Sequence, residues 1–301
     1  MKTLQYVFIF LIAIPGIVKA QEQVDPEKII QSINNGEKVT YDNAVINGDL
    51  DFSKLKNKKQ VKEGGLFGVG NDKYEYYMDV PVKFNNCRFK GEIIGYISER
   101  GSNDLHVLMF KEDAIFTNCT FEDEVLLKYT EFSKASDFTG SEFDEGVLLK
   151  YAEFNEEGEF ANTKFNREAN FKYAEFNEKA NFNESYFKRL AYFKYTEFDD
   201  EVDFSSAEFD GEANFKYTEP SEFISFADAK FNEEANFKYT EFDEGVSFKN
   251  TVFDDDANFE YAQISEPVDF DNVSFNGNIN FEDTKIEGKE ITQHLLRKMS
   301  E

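Results

Sequence analysis

The sequence predicts an all-β fold, a right-handed, four-sided parallel β-helix of about 22 residues per coil with short capping helices at its N and C termini. Three observations predict it. From Phe116 to Ile286 a ladder of apolar residues recurs in alternating steps of five and six, and 27 of its 32 positions are Phe. Two residues before each stands a side chain no larger than Ile, most often Ala, Thr, Val or Ser. A longer period of 22 residues lies over the first in Tyr129, Tyr151, Tyr173, Tyr195, Tyr217, Tyr239 and Tyr261.

Alternation along a stretch such as Ala-x-Phe points the small residue and the ring to one side of a short strand, about three residues long, with Asn, Asp or Glu on the other side. Four such strands make one 22-residue coil, and successive coils rise by about 4.8 Å. Right-handedness follows the rule for parallel crossovers. Inside, Phe171, Phe176, Phe182, Phe187, Phe193 and Phe198 are expected to form a core ladder. Outside, Lys172, Tyr173, Lys194, Tyr195, Lys216 and Tyr217 form a surface ladder, with a Glu column three residues after the lysines that offsets their repulsion. Asn or Asp directly after Phe, as in Asn155, Asn177 and Asp199, marks corners.

In chain order, residues 1–20 read as a signal peptide: Lys2, an apolar run through Ile14, a Pro15-Gly16 break, then Val18-Lys19-Ala20 before Gln21. The run is too short for a membrane span, so none is expected after cleavage. An N-terminal capping helix is expected within residues 21–36, with Asp25 as N-cap, Pro26 at N1, Gly36 as stop, and Ile29, Ile30 and Ile33 on its apolar side. The β-helix covers 37–286 and starts its rhythm at Tyr41, Ile46 and Phe52. Two insertions, 53–79 and 90–110, interrupt it; the first is Lys-rich, then Gly-rich, then aromatic. Its glycines lack the Gly-Lys-Ser/Thr of a phosphate loop. Residues 287–301 read as an amphipathic helix with Ile291, Leu295, Leu296 and Met299 on one face, serving as a cap or as one side of a homodimer through this end.

Two positions break the pattern. Pro220 sits where Phe belongs and cannot donate a ladder bond, which predicts a local bulge with Phe223 swinging inward. Cys87 and Cys119 lie in two copies of one unit, Phe84–Phe89 and Phe116–Phe121, on successive coils. In an exported chain an even pair suggests a disulfide. In-register strands, however, hold Cβ atoms about 4.8 Å apart, beyond the usual disulfide spacing, which favours two buried thiols.

These residues resemble the pentapeptide-repeat proteins, whose five-residue units centre on Phe or Leu with a small residue two positions earlier. Ala169-Asn170-Phe171-Lys172-Tyr173 and Ala174-Glu175-Phe176-Asn177-Glu178 match that pattern. The likeness spans roughly 39–286 and departs in one respect: every second unit carries an extra residue, which should lengthen two corners per turn. The resemblance implies a four-sided β-helix. Some members resemble B-form DNA in size and charge and occupy the DNA site of type II topoisomerases.

The formal net charge of −27 repels nucleic acid, so no direct nucleic-acid binding is expected. His106 and His294 stand apart from any nucleophile–base pattern, and no zinc, calcium or cofactor motif is present, so no catalytic, metal or cofactor site is assigned. The reading is a non-catalytic scaffold, exported to the periplasm or secreted, whose surface and insertions bind a macromolecule such as a protein or envelope component. A carbohydrate-active β-helix enzyme is the alternative if the insertions meet over a cleft with two carboxylates. Topoisomerase inhibition by DNA mimicry is a third, opposed by the export signal.

Overall fold

The computed structural model describes residues 21–62, 72–98 and 104–291. The signal peptide at 1–20 and residues 292–301 of the expected C-terminal helix lie outside them. The described chain winds as a parallel β-solenoid whose four faces are sheets of 10, 11 and 10 strands and a fourth face divided into sheets of nine and four. Taking one coil in order, the faces carry Ala180–Asn181, Tyr186–Phe187, Ala191–Tyr192 and Glu197–Phe198. In the regular coils each strand except Glu219–Pro220 pairs with the one 22 residues on, for example Phe187 with Phe209 and Phe176 with Phe198. The regular strands are two residues long, because a ladder that changes direction every five or six residues leaves room for no more.

The interior is a set of aromatic columns. Phe171, Phe176, Phe182, Phe187, Phe193 and Phe198 are all buried. Rings one coil apart stack almost parallel, as in Phe171–Phe193 (5.0 Å, 5°) and Phe187–Phe209 (4.8 Å, 2°), and rings on different faces meet edge-on, as in Phe187–Phe193 on neighbouring faces (5.8 Å, 81°) and Phe182–Phe193 on opposite ones (5.3 Å, 85°). Both geometries suit the ring quadrupole. The small residue two positions earlier is required by volume, and where it is Thr its hydroxyl is used in most coils, the buried hydroxyls of Thr130 and Ser185 being left without a partner. Thr196, Thr218 and Thr240 Oγ1 donate to the carbonyls of Phe171, Phe193 and Phe215 in the preceding coil at 2.8–2.9 Å. At Thr196, Thr218 and Thr240 a polar group thus enters the core without being left unsatisfied.

The N-terminal end is closed by α1 (Pro26–Asn34), whose Asp25 side chain accepts from the Glu27 N–H and which buries Ile29, Ile30 and Ile33. Ahead of it Glu22–Val24 adds a strand beside Ala44–Ile46, an element the sequence did not announce. At the other end Lys285–Ile286 turns through Glu287 and Gly288, both at positive φ, and pairs back with Lys289–Glu290. The first residues of the expected C-terminal helix are therefore a short hairpin.

The bulge expected at Pro220 is absent. Pro220 is buried in register beneath nothing but regular coil: it pairs with Phe198, and Ile224 pairs with Val246. Phe223 stays half-buried rather than filling the column. What the proline removes is one donor. The nine-stranded sheet ends at Glu219–Pro220, a new sheet starts at Glu241–Phe242, and the Asp243 N–H to Pro220 bond is stretched to 3.4 Å. Three intact faces hold the register that the fourth loses.

The disulfide is also absent. Cys87 and Cys119 are buried free thiols. The Cys87 Sγ donates to the Asn85 carbonyl at 3.3 Å and the Cys119 Sγ to that of Thr117 at 3.4 Å, so each thiol is tied to its own turn. Its contact with the Cys87 sulfur, then burial, pushes the Cys119 thiol well above its ordinary value.

Candidate functional site

The corner between the third and fourth faces is where this solenoid departs from uniformity. In the regular coils it is a tight turn: Ala174 N–H donates to the Phe171 carbonyl at 2.9 Å, and Tyr173 between them adopts φ 57°. All seven tyrosines of the 22-residue column share this left-handed backbone, with φ between 57° and 62°. For a bulky residue that conformation costs about 1–2 kcal/mol. The equivalent corner between the first and second faces uses residues better suited to it, such as Asn118, Gly140, Asn162 and Asn250. The left-handed turn aims each Tyr ring outward and onto its neighbour. Tyr129 to Tyr261 form a continuous surface stack with centroids 4.7–5.0 Å apart, Tyr151, Tyr173 and Tyr261 exposed and the other four half-buried.

The lysines lie on the third-face side of that stack. Lys150 Nζ is 4.8 Å from the Tyr151 ring and 5.3 Å from Tyr173, and Lys194 and Lys216 sit similarly at 4.7 and 5.1 Å from Tyr195 and Tyr217. Lys172 turns instead to Tyr192, at 3.6 Å. The glutamates lie on the other side, and among the described residues no ion pair joins the two columns. The expected Lys–Glu compensation is thus replaced by lysine over tyrosine. Glu175 accordingly stands above the usual carboxylate range, through burial and then through Glu197 and Glu153. Burial and the neighbouring rings also raise Tyr173 and Tyr217, so these phenols remain neutral at physiological pH.

Both insertions emerge at this same corner. The first runs as β1 (Lys58–Lys62) and β2 (Asp72–Met78), the second as β3 (Tyr96–Ser98) and β4 (Leu105–Phe110). The boundaries 53–79 and 90–110 were too wide, since Ile93–Ile94 is a third-face strand and Met78 and Phe110 are core positions of the fourth. β2 and β4 pair in parallel over six residues, from Lys73–Leu105 to Met78–Phe110, and β1 and β3 flank them antiparallel. The result is a wing that extends the fourth face past the solenoid. The insertions therefore meet as paired strands.

The wing is aromatic and basic. His106 stacks on Tyr74 (5.1 Å) and Tyr76 (5.7 Å), and its Nδ1 shares a 2.8 Å hydrogen bond with the Tyr76 hydroxyl. Lys58 lies 5.7 Å from both Tyr rings, and Lys59 lies 4.6 Å from Tyr77. Tyr77 donates to Glu75, which pushes its phenol up to about 12; Glu75 also pairs with Lys73 at 3.1 Å. Tyr96 of β3 meets Tyr129 at 6.0 Å, with Lys128 Nζ 4.9 Å from its ring, so wing and tyrosine stack form one edge. His294 lies outside the described residues. Among the described residues no group of three His, Cys, Asp or Glu could hold a metal ion.

Residues 171–219, 222–263 and 248–288 match the family model for pentapeptide repeats, in 9 copies. Residues 171–288 are a run of pentapeptide repeats. The first matched stretch stops one residue before Pro220, where the fourth-face sheet also breaks. No curated protein matches the chain. The pentapeptide-repeat pattern also singles out Leu126 and Leu148. Ala-Asn-Phe-Lys-Tyr at 169–173, 213–217 and 235–239 becomes Val-Leu-Leu-Lys-Tyr at 125–129 and 147–151, which places Leu126 and Leu148 on the outside of the third face where other coils carry Asn. They continue from Ile94, and all three are half-buried. The signal was a doubled Leu in a position that should alternate.

Proposed function

We propose that this chain is an exported, non-catalytic scaffold that binds a macromolecule, a protein or envelope component, along the edge formed by the wing and the Lys–Tyr column. The observation that carries the reading is the continuity of that edge. Seven stacked tyrosines backed by lysines lead directly into a wing bearing Tyr74, Tyr76, Tyr77, Lys58 and Lys59, on a chain whose net charge is otherwise strongly negative. Rigid aromatic faces with cationic neighbours are typical of interface hot spots, and stacked repeats suit extended partners. Export is supported by the charge, apolar run and small-residue site of residues 1–20. No helix among the described residues is long and apolar enough to cross a membrane.

The test is capture of partners from an envelope fraction by the intact protein and by Lys58→Glu/Lys59→Glu, with a thermal melt as the folding control. Both lysines are exposed on the edge strand β1, so the variant should fold. Loss of a partner captured by the parent supports the reading; equal recovery overturns it. Deleting 53–79 is unsuitable, because Leu55, Tyr76 and Met78 are core residues. Export is checked by the mature N terminus, expected at Gln21.

A further inference from the structure

The third face is charged in columns that are self-complementary. On the side toward the second face stand Glu124, Glu168, Glu212, Glu234 and Asp256; on the other side stand Lys128, Lys150, Lys172, Lys194, Lys216 and Lys238. Between them runs a central column of Ile94, Leu126, Leu148, Asn170, Tyr192, Asn214 and Asn236, one residue per coil. The two columns rise with the same spacing, Gly146 and Leu190 interrupting the acidic one and Glu260 ending the lysine one.

A two-fold axis parallel to the solenoid would exchange left and right while keeping height. It would set Glu124, Glu168, Glu212 and Glu234 opposite Lys128, Lys172, Lys216 and Lys238 of the partner at their own levels, and every central residue opposite itself. A two-fold axis lying across the face would set lysine on lysine, so charge selects the parallel, side-by-side arrangement. Ten strands at about 4.8 Å, three residues wide, give on the order of 1,000 Å² buried over both copies, the size at which specific interfaces begin. The apolar contribution falls at Ile94, Leu126 and Leu148, where the outward side chains are aliphatic against the habit of the rest of the column. Long-range repulsion between two chains of formal charge −27 is screened beyond about 8–10 Å, while this face brings roughly balanced charge into contact.

We propose that the third face is the contact surface of a side-by-side, parallel homodimer of this chain, centred on Leu126 and Leu148. This goes beyond the binding role of the neighbouring edge and differs from pairing through the C-terminal end.

Sedimentation equilibrium of the purified chain tests it, with Leu126→Asn/Leu148→Asn as the disrupting variant. The substitution copies the residue that the same column carries at Asn170 and Asn214, so the coil should form, and an unchanged melt confirms that. The wild type is expected to be dimeric and the variant to associate at least about tenfold more weakly, as four leucine side chains, two from each copy, leave the interface. In a second measurement, Leu148→Cys should give a disulfide-linked dimer under mild oxidation, because a residue beside the axis faces its own copy, whereas Glu184→Cys at another corner should not. A monomeric wild type, a dimer indifferent to the Leu→Asn pair, or equal cross-linking of both cysteine variants would each overturn the proposal.

Discussion

Aromatic rings stack at nearly the same spacing inside this molecule and on its outer edge. The Phe171–Phe193 and Tyr173–Tyr195 centroids are 5.0 and 4.7 Å apart. Yet Phe171 is 0% exposed and Tyr173 is 37% exposed. The inner stack removes its full surface from water, roughly 1.5–3 kcal/mol per ring before conformational entropy is subtracted. The outer stack removes little and accepts a left-handed backbone at every step. One stack builds the solenoid, and the other is displayed by it. The difference separates what makes the fold from what is left over for recognition.

Truncating the inner stack should break the molecule most severely. Phe193→Ala leaves a cavity between Phe171 and Phe215, and a loss of about 3–5 kcal/mol is expected in urea unfolding. Repairing the inner stack should have the opposite sign. Pro220→Phe restores both the missing ring and the missing N–H on a backbone already in register, with a gain of about 1–3 kcal/mol. A loss of stability there would show that the proline fits its column better than a ring does.

Smaller effects test the finer parts of the contrast. Thr196→Val keeps the shape of the small-residue position but removes the hydroxyl bond to the Phe171 carbonyl, and should cost about 1 kcal/mol. Glu175→Gln should raise the melting temperature at neutral pH, because the native carboxylate sits above its ordinary pKa. The native state holds the Glu175 proton more tightly than the unfolded chain, so the wild type gains stability as pH falls through the native value. The advantage of Glu175→Gln should therefore shrink on acidification; an advantage that grows would contradict the like-charge account.

The fold was legible because burial is periodic. A ladder of 32 positions with small residues two places earlier leaves one way to wind the chain, and the capping helix carried its own Asp25-Pro26 signature. The wing was not legible, since the pairing of Lys73–Met78 with Leu105–Phe110 joins two insertions whose own alternation is weak. Nor could the tyrosine corner be read locally. Tyr is not a left-handed former, and only the stacking of successive coils makes Tyr129 to Tyr261 adopt that backbone. Pro220 escapes local rules for a related reason: they expect a bulge, while three paired faces fix the register. Leu126 and Leu148 were visible as departures from the repeat, but only against a known inside and outside.

The most direct test of the contrast is one protein measured twice. Tyr151→Asn/Tyr173→Asn/Tyr195→Asn replaces three outer rings with the residue that serves the opposite corner at Asn162 and Asn250, and both its urea midpoint and its capture of envelope partners are recorded. The account predicts a stability change below about 1 kcal/mol per site together with loss of the captured partner. A large loss of stability with capture intact would show that the outer stack, like the inner one, serves only to hold the solenoid together.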